Sequence, residues 1–206
     1  MSDLVRVAVD AMGGDYAPVE PVKGAVEAVN ADERVKVQLV GQVDVIEKEL
    51  QKYTYPKERV EIVPATEIIE TGEPPVNAIR HKKDSSIVVG MKKVRCGEAD
   101  AFVSSGSTGA VLVGGQTIVG RIKGVERPPL APLIPTKDGV SLLIDCGANA
   151  ECTSEYLLQF AYLGSYYAEK VLGIVQPRVG LLNIGAEPSK GDTLRHETYA
   201  RLKEAG

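Results

Sequence analysis

Apolar positions along this chain recur with two alternating periods. From Leu4 to Asp10 the spacing is two, with Val5, Val7 and Val9 on one face and Leu4 and Ala8 on the other, which predicts a buried strand. After Met12-Gly13-Gly14-Asp15 the period lengthens, and Val19, Val22, Val26 and Val29 share one helical stripe. Val35 to Val40 predicts the next strand, closed by Gly41, and Val43, Ile46 and Leu50 space out a second helix. Arg59 to Val63 reads as a third strand. Ile87, Met91 and Val94 mark a helix that Asp84-Ser85-Ser86 can cap. Ala99 to Val103 is then a strand and Ser107 to Val119 a helix. Ser141 to Asp145 predicts a further strand, followed by a long helix from about Ser154 to Leu172. Arg178 to Ile184 predicts a last strand, and a closing helix opens at Thr193. Pro128, Pro129 and Pro132 reduce Pro129 to Pro135 to an edge or irregular strand.

Alternation of this kind through short connections calls for an α/β fold, a mostly parallel sheet covered by helices on both faces. No linker, low-complexity tract or internal repeat interrupts the 206 residues, so a single α/β domain over residues 1–206 is expected. The long helix carries an extra signal. Leu158, Ala161, Ser165, Ala168 and Leu172 make one stripe, and Tyr156, Phe160, Leu163, Tyr167 and Val171 a second. A helix apolar on two faces is either deeply buried or used against a partner chain.

Composition narrows the function classes. Hydrophobic residues at 44% and charged residues at 25% exclude disordered and fibrous chains. A net charge of -4, no tryptophan and two phenylalanines leave neither the basic footprint nor the stacking platform of a nucleic-acid binder, and no nucleic-acid partner is expected. Three cysteines, Cys96, Cys146 and Cys152, cannot all pair and form no C-x-x-C, which favours a reducing, cytoplasmic location. The N-terminus runs straight into an apolar strand, so no leader is expected. No charge occurs between Asp100 and Arg121, yet five glycines and several hydroxyl side chains make that stretch too polar to span a membrane.

In doubly wound sheets, ligands sit outside the carboxyl ends of the strands. Four polar, glycine-containing loops are expected there: Asp10-Ala-Met-Gly13-Gly14-Asp15, Ser104-Ser-Gly-Ser-Thr-Gly109, Asp145-Cys-Gly147-Ala-Asn149, and Asn183 through Gly185 and Lys190 to Gly191. Each alone is an ordinary strand-to-helix turn; together on one rim they suggest a site. Ser105, Gly106, Ser107, Thr108 and Gly109 form the best anion loop, because they join a strand to a helix start where N–H groups and hydroxyls can meet a phosphate. Neither G-x-x-x-x-G-K-[ST] nor G-x-G-x-x-G occurs, so nucleoside triphosphatase and nicotinamide-dinucleotide readings lose their fingerprints. Cys146 has no histidine spaced to pair with it, since His81 and His196 are the only two, and it reads as a structural thiol. Asp10, Asp15 and Asp145 could share Mg²⁺ if their loops met, but serve better as loop anchors, so neither a metal nor a cofactor is expected. Arg80-His81-Lys82-Lys83 is a basic cluster, either a solvated helix start or a docking patch for an acidic partner.

These stretches carry a resemblance. Val7-Ala-Val-Asp-Ala-Met-Gly-Gly-Asp15, Lys82-Lys-Asp-Ser-Ser86, Ala99-Asp-Ala-Phe-Val-Ser-Ser-Gly-Ser-Thr-Gly-Ala110, Gly120-Arg-Ile-Lys-Gly124, Leu143-Ile-Asp-Cys-Gly-Ala-Asn149 and Pro177-Arg-Val-Gly-Leu-Leu-Asn-Ile-Gly185 resemble, in order and from end to end, the bacterial phosphate acyltransferase family. The resemblance implies a three-layer α/β/α Rossmann-like fold, a homodimer, and transfer of a long-chain acyl group from acyl carrier protein to inorganic phosphate for phospholipid synthesis. Peripheral contact with the inner face of the membrane is a further expectation. Two departures stand out. Ser107 replaces the family's usual Asn, and the family continues with further strands beyond Gly206, so a C-terminally shortened member is expected.

Inorganic phosphate is itself the nucleophile in that reaction, so no activated Ser or Cys is needed. From loop position and motif match, Ser105 to Gly109 are expected to hold phosphate and Asn149 with nearby N–H groups to stabilise the oxyanion. Lys190 would neutralise phosphate or guide the carrier. Asp10, Asp15 and Asp145, with Gly13, Gly14, Gly147 and Gly185, would support the loops. Arg80, Lys82, Lys83, Arg121 and Lys123 are candidates for docking the acidic carrier. Three alternatives remain: a phosphotransacetylase-like transferase using coenzyme A thioesters, a decarboxylating hydroxy-acid dehydrogenase, and a phosphate- or carrier-binding fragment without turnover.

Overall fold

The computed structural model of the protein describes residues 4–137, 139–187 and 189–205, and falls into two compact units divided after Arg121. The expected absence of a leader falls partly on Met1, Ser2 and Asp3, which lie outside the described residues, as does Pro188 of the fourth loop.

The first unit is built on a parallel sheet of β1 (Val5–Asp10), β2 (Val35–Gly41), β3 (Val60–Pro64) and β4 (Ala101–Val103), in the order β3-β2-β1-β4. Val7 lies opposite Val37 and Ala101, and Val9 opposite Leu39 and Val103. Side chains alternate across a strand, so this register sorts them onto two faces. Val9 and Leu39 pack with Val22, Ala25, Val26 and Val29 of α1 (Val19–Ala31) and with Ile46 and Leu50 of α2 (Val43–Leu50). Ala8 and Val40 face the other way, toward Val89 and Val94 of α4 (Ser86–Arg95). A third cluster joins Ile79 of α3 (Pro75–His81), Ile87, Val88 and Met91 of α4, and Ala110 of α5 (Thr108–Gly114). Helices therefore cover both faces of a parallel sheet, as the alternating pattern requires.

Local signals start several of these helices. The Ser85 hydroxyl accepts from the Val88 N–H at 3.4 Å and caps α4. Ser107 accepts from Ala110 N–H at 3.3 Å and caps α5, which runs on as a π-helical turn, Gly115–Val119. The valine periodicity did not foretell α3, because Pro74-Pro75 reads as a breaker; Pro75 instead occupies the first helical turn, where its missing N–H costs nothing. Arg80 and His81 are therefore not a helix start. They sit in the last turn of α3, where positive charge complements the helix dipole.

The second unit departs further from expectation. The strand predicted at Ser141 to Asp145 forms as β6 (Gly139–Leu142), and it pairs antiparallel with β5 (Leu133–Thr136) rather than joining a parallel sheet. Gly139, at φ +142°, permits the reversal, and Leu143 N–H to Pro132 O (3.1 Å) and Cys146 N–H to Leu130 O (3.0 Å) extend the pairing. Arg178 to Ile184 forms no strand, because no described strand of this unit lies beside it to accept a ladder. The long helix is α6 (Ser154–Lys170), capped by the Thr153 hydroxyl at 3.3 Å from Tyr156 N. It packs on α7 (Thr193–Ala205), joined by an Arg201–Glu155 ion pair at 2.7 Å. Of its two apolar stripes, α6 buries Ala168 from the first and Phe160 from the second, while Tyr167 of the second is exposed, as are Tyr162 and Tyr166 beside them. Among the described residues, no helix is long and apolar enough to cross a membrane.

Candidate functional site

In the order β3-β2-β1-β4 the chain first winds from β1 outward to β3, then returns to place β4 on the other side of β1. The crevice between the carboxyl ends of β1 and β4 is the switch point at which such sheets bind ligands. The first two glycine loops meet there. Asp10, the last residue of β1, is 1% exposed. Its Oδ1 accepts from Met12 N–H at 3.1 Å, and its Oδ2 accepts from the Ser104 hydroxyl at 2.7 Å. Ser104 in turn accepts from Gly106 N–H at 3.0 Å. One buried carboxylate and one hydroxyl thus tie the loop after β1 to the loop after β4.

Glycine is required at this junction for space and for conformation. A Cβ on Gly13 would fall 2.2 Å from Asp10 Oδ2 and 2.9 Å from the Gly106 backbone nitrogen. Gly14 has φ +103° and lies against Ser105. The expected anion loop is sorted by these contacts. Ser107 is buried and its oxygen caps α5, whereas Ser105 and Thr108 are exposed and carry the hydroxyls that face water. Asp15 is exposed. Gly109 packs against Pro75, since a Cβ there would lie 2.6 Å from the Pro75 ring. Ser104 was not singled out among the site residues. Four hydroxyl residues crowd this loop, and which of them reaches the end of β1 is set by the pairing of β4 with β1, a contact between segments 94 residues apart.

The third and fourth loops lie in the second unit and do not follow strands of a parallel sheet, contrary to expectation. Asp145 is the hub of its loop. Oδ1 accepts from Leu130 N–H (2.7 Å) and Ala148 N–H (3.3 Å), and Oδ2 accepts from the backbone and side-chain amides of Asn149 (2.8 and 3.0 Å). Desolvation alone would raise the Asp145 pKa, but the donors at Leu130, Asn149 and Ala148 outweigh it and hold the carboxyl below the ordinary range. The Asn149 amide also donates to Pro128 O at 3.2 Å, so both its hydrogens are engaged. Gly147, at φ +86°, supplies the turn. Burial, with Asp145 adding repulsion, pushes the Cys152 thiol up and away from the thiolate, and Cys146 is half-buried.

In the fourth loop Asn183 donates to Lys190 O at 3.0 Å, and Lys190 N–H donates to Glu187 O at 2.9 Å. The Lys190 side chain is exposed, and a Cβ on Gly185 would lie 3.0 Å from its Cγ. A cavity of about 530 Å³ opens here, lined by Leu182, Asn183, Ile184, Gly191, Asp192 and Arg195. The basic candidates are partly committed. Lys82 pairs with Glu73 at 2.5 Å and donates to Ile68 O, while Lys83 donates to Ile79 O at 3.1 Å. Arg80, Arg121 and Lys123 are exposed. Among the described residues, no group of three or more His, Cys, Asp and Glu side chains is arranged to hold a metal ion.

Comparison with known proteins assigns the fold and the family. A phosphotransacetylase from Streptococcus pyogenes superposes with a TM-score of 0.69 at 16% identity, covering 98% of this chain and 66% of its own. The EutD phosphotransacetylase from Staphylococcus aureus gives 0.65 at 19% identity with the same coverage. The fold is thus the three-layer α/β/α arrangement. Among curated proteins, the phosphate acyltransferase of Alkaliphilus oremlandii is 52% identical over 201 residues, and that of Clostridium kluyveri 49% over 198. Each match takes in nearly all of this chain but only 59% of the relative, so the chain spans about three-fifths of their length. The family model described as "Fatty acid synthesis protein" matches residues 5–206, and the chain belongs to that family.

Proposed function

We propose that the protein acts in transfer of a fatty acyl group from the thioester of acyl carrier protein to inorganic phosphate, giving acyl-phosphate. The observation that carries this reading is the junction of the loops after β1 and β4, where Ser105 and Thr108 present hydroxyls beside the N-terminus of α5 and over a buried Asp10–Ser104 brace. Such a site suits a small oxyanion that brings its own nucleophilic oxygen. Ser105, Gly106, Ser107, Thr108 and Gly109 hold phosphate, Ser107 from its capping position, with Asp10, Gly13, Gly14 and Asp15 shaping the loops. A phosphate oxygen attacks the thioester carbonyl carbon, the carbon–sulfur bond breaks, and the phosphate proton passes to the departing thiol. The names of the 52%- and 49%-identical relatives support the same chemistry.

The remaining assignments rest on motif match. Asn149 donates to the tetrahedral oxyanion by exchanging its longer bond, to Pro128 O, and Asp145 orients it. Gly147 and Gly185 shape these loops, and Lys190 neutralises phosphate charge. Arg80, Lys82, Lys83, Arg121 and Lys123 contribute to docking the acidic carrier, and the working form is a cytoplasmic homodimer with peripheral membrane contact. Carrier affinity falls as salt rises if that docking is electrostatic; salt independence counts against it.

The deciding experiment incubates this chain with palmitoyl-acyl carrier protein, with and without phosphate, and traps acyl-phosphate with hydroxylamine. The Alkaliphilus relative, run in parallel, calibrates the assay. Phosphate-dependent hydroxamate from this chain establishes the reaction. Hydroxamate from the relative alone refutes turnover by this chain, and product only with palmitoyl-coenzyme A replaces the carrier reading by the coenzyme A one.

A further inference from the structure

Asp10 is 1% exposed, and a carboxylate accepts hydrogen bonds without donating any. The 2.7 Å contact between its Oδ2 and Ser104 Oγ therefore has only one direction, and the single hydroxyl hydrogen of Ser104 is committed to Asp10. A hydroxyl oxygen has two lone pairs. One of them, on Ser104, accepts from Gly106 N–H at 3.0 Å. The other has no partner among the described residues. Ser104 directly follows β4 and is only half-buried, so this oxygen remains open at the crevice between the carboxyl ends of β1 and β4. The exposed hydroxyls of Ser105 and Thr108 belong to the same loop. Those two can donate to a ligand; Ser104 can only accept.

We infer that Ser104 determines which oxyanion the site takes: it accepts a hydrogen bond from a ligand hydroxyl, and so selects hydrogen phosphate over sulfate. The inference rests on the phosphate reading of this loop and deepens it. Phosphate and sulfate are tetrahedral anions of similar size, and donors such as Ser105 and Thr108 suit both. They differ in hydrogen, because phosphate keeps a P–O–H group at neutral pH and sulfate keeps none. Against Ser104 the P–O–H group fills the open lone pair, whereas a sulfate oxygen meets it with repulsion and no bond. Ser104 cannot turn its own hydrogen to sulfate without leaving Asp10 Oδ2 unpaired in a buried place, where a lost bond to a charged acceptor is most costly. Sites that hydrogen-bond a substrate hydroxyl reject analogues lacking it far more strongly than shape alone allows. Asp10 touches no ligand in this scheme. It is a positioning residue that sets the direction of the Ser104 hydroxyl.

Calorimetric titration of this chain with inorganic phosphate and with sulfate, at neutral pH and one ionic strength set by chloride, tests it. Ser105→Ala, expected to weaken both anions alike, places the binding at this loop. The wild-type chain should prefer phosphate by about tenfold or more. Asp10→Asn then separates direction from position. Met12 N–H keeps the Asn carbonyl where Oδ1 now lies, so the amide NH2 faces Ser104 and donates to it. Both lone pairs of Ser104 are then filled, by Asn and by Gly106 N–H, and its hydrogen turns toward the ligand. Sulfate should bind this variant more tightly than wild type, and the preference for phosphate should shrink to about threefold or less. Ser104→Ala is the companion and decides alone if Asp10→Asn does not fold. Removing the lone pair should bring the two anions close to parity, whereas loss of a brace that only holds the loop weakens both and keeps their ratio. Equal affinities in wild type, or a phosphate preference that survives in every folded variant, overturn the inference and leave the phosphate reading standing. If neither anion binds, or Ser105→Ala leaves binding unchanged, the phosphate reading of the loop fails and the inference falls with it.

Discussion

Replacing Gly13 by alanine tests the junction of the two glycine loops directly. The new methyl would lie 2.2 Å from Asp10 Oδ2, 2.9 Å from Asp10 Cγ and 2.9 Å from Gly106 N, all inside contact distance. Asp10 cannot swing aside, because it is buried and accepts from Met12 N–H and Ser104 Oγ–H. Either the backbone of one loop shifts or the carboxylate loses partners. Overpacking of this kind costs about 1–3 kcal/mol. Weakening a hydrogen bond to a charged acceptor adds about 1.5–3 kcal/mol if it is lost outright. The lower entropy of the unfolded chain returns only about 0.4–1 kcal/mol. A net loss of about 2–4 kcal/mol follows, or roughly 5–15 °C in midpoint for a chain of this size. Gly24→Ala is the matched control. Gly24 lies inside α1 with nothing within 4 Å of the added methyl, so alanine should stabilise by about 0.5–1 kcal/mol. Urea unfolding of both variants, followed by circular dichroism at 222 nm, gives the comparison (the wavelength marks backbone helicity). If Gly13→Ala unfolds at the wild-type denaturant concentration or above it, the tight Asp10–Gly13–Gly106 packing is wrong and the brace argument falls with it.

Other consequences are simpler to state. Ser85→Ala removes the α4 cap, along with the hydroxyl's own bond to Lys82 O, and should cost about 1 kcal/mol in urea unfolding. Asp100 is held down to about 2 by its hydrogen bonds and ion pair with Arg6, and Asp32 to about 2 by Arg34. Carboxylates depressed in the folded state stabilise above the unfolded pKa and lose that contribution as pH falls toward the folded one. Stability should therefore decline between about pH 4 and pH 2, and Asp100→Asn should flatten the decline; an unchanged slope in acid titration of the midpoint contradicts the assignment. Phe160→Ala should cost about 3–5 kcal/mol, because its ring is 1% exposed, whereas Tyr166→Ala, at 68% exposed, should stay within about 0.5 kcal/mol. Equal losses from the two would show that the exposed face of α6 is covered in solution.

How far the chain could be read in advance depended on how local each feature is. The stripe Val22, Val26 and Val29, the alternation in β1 and β2, and the cap at Ser85 are set by neighbours within a few residues, and the structure has them where periodicity and capping chemistry place them. The anion loop, too, was visible as a glycine- and hydroxyl-rich strand-to-helix turn. The order β3-β2-β1-β4 was not, since it depends on which strand edges exchange hydrogen bonds over long separations. That order alone puts Ser104 in reach of Asp10, 94 residues away, and so selects the bracing hydroxyl from the four in its loop. The same distinction explains the second unit. An apolar run such as Arg178 to Ile184 states a preference for a sheet, but a strand exists only where another backbone pairs with it. Side-chain pattern is a property of the segment. Pairing is a property of what lies beside it, and tertiary structure alone supplies the neighbour.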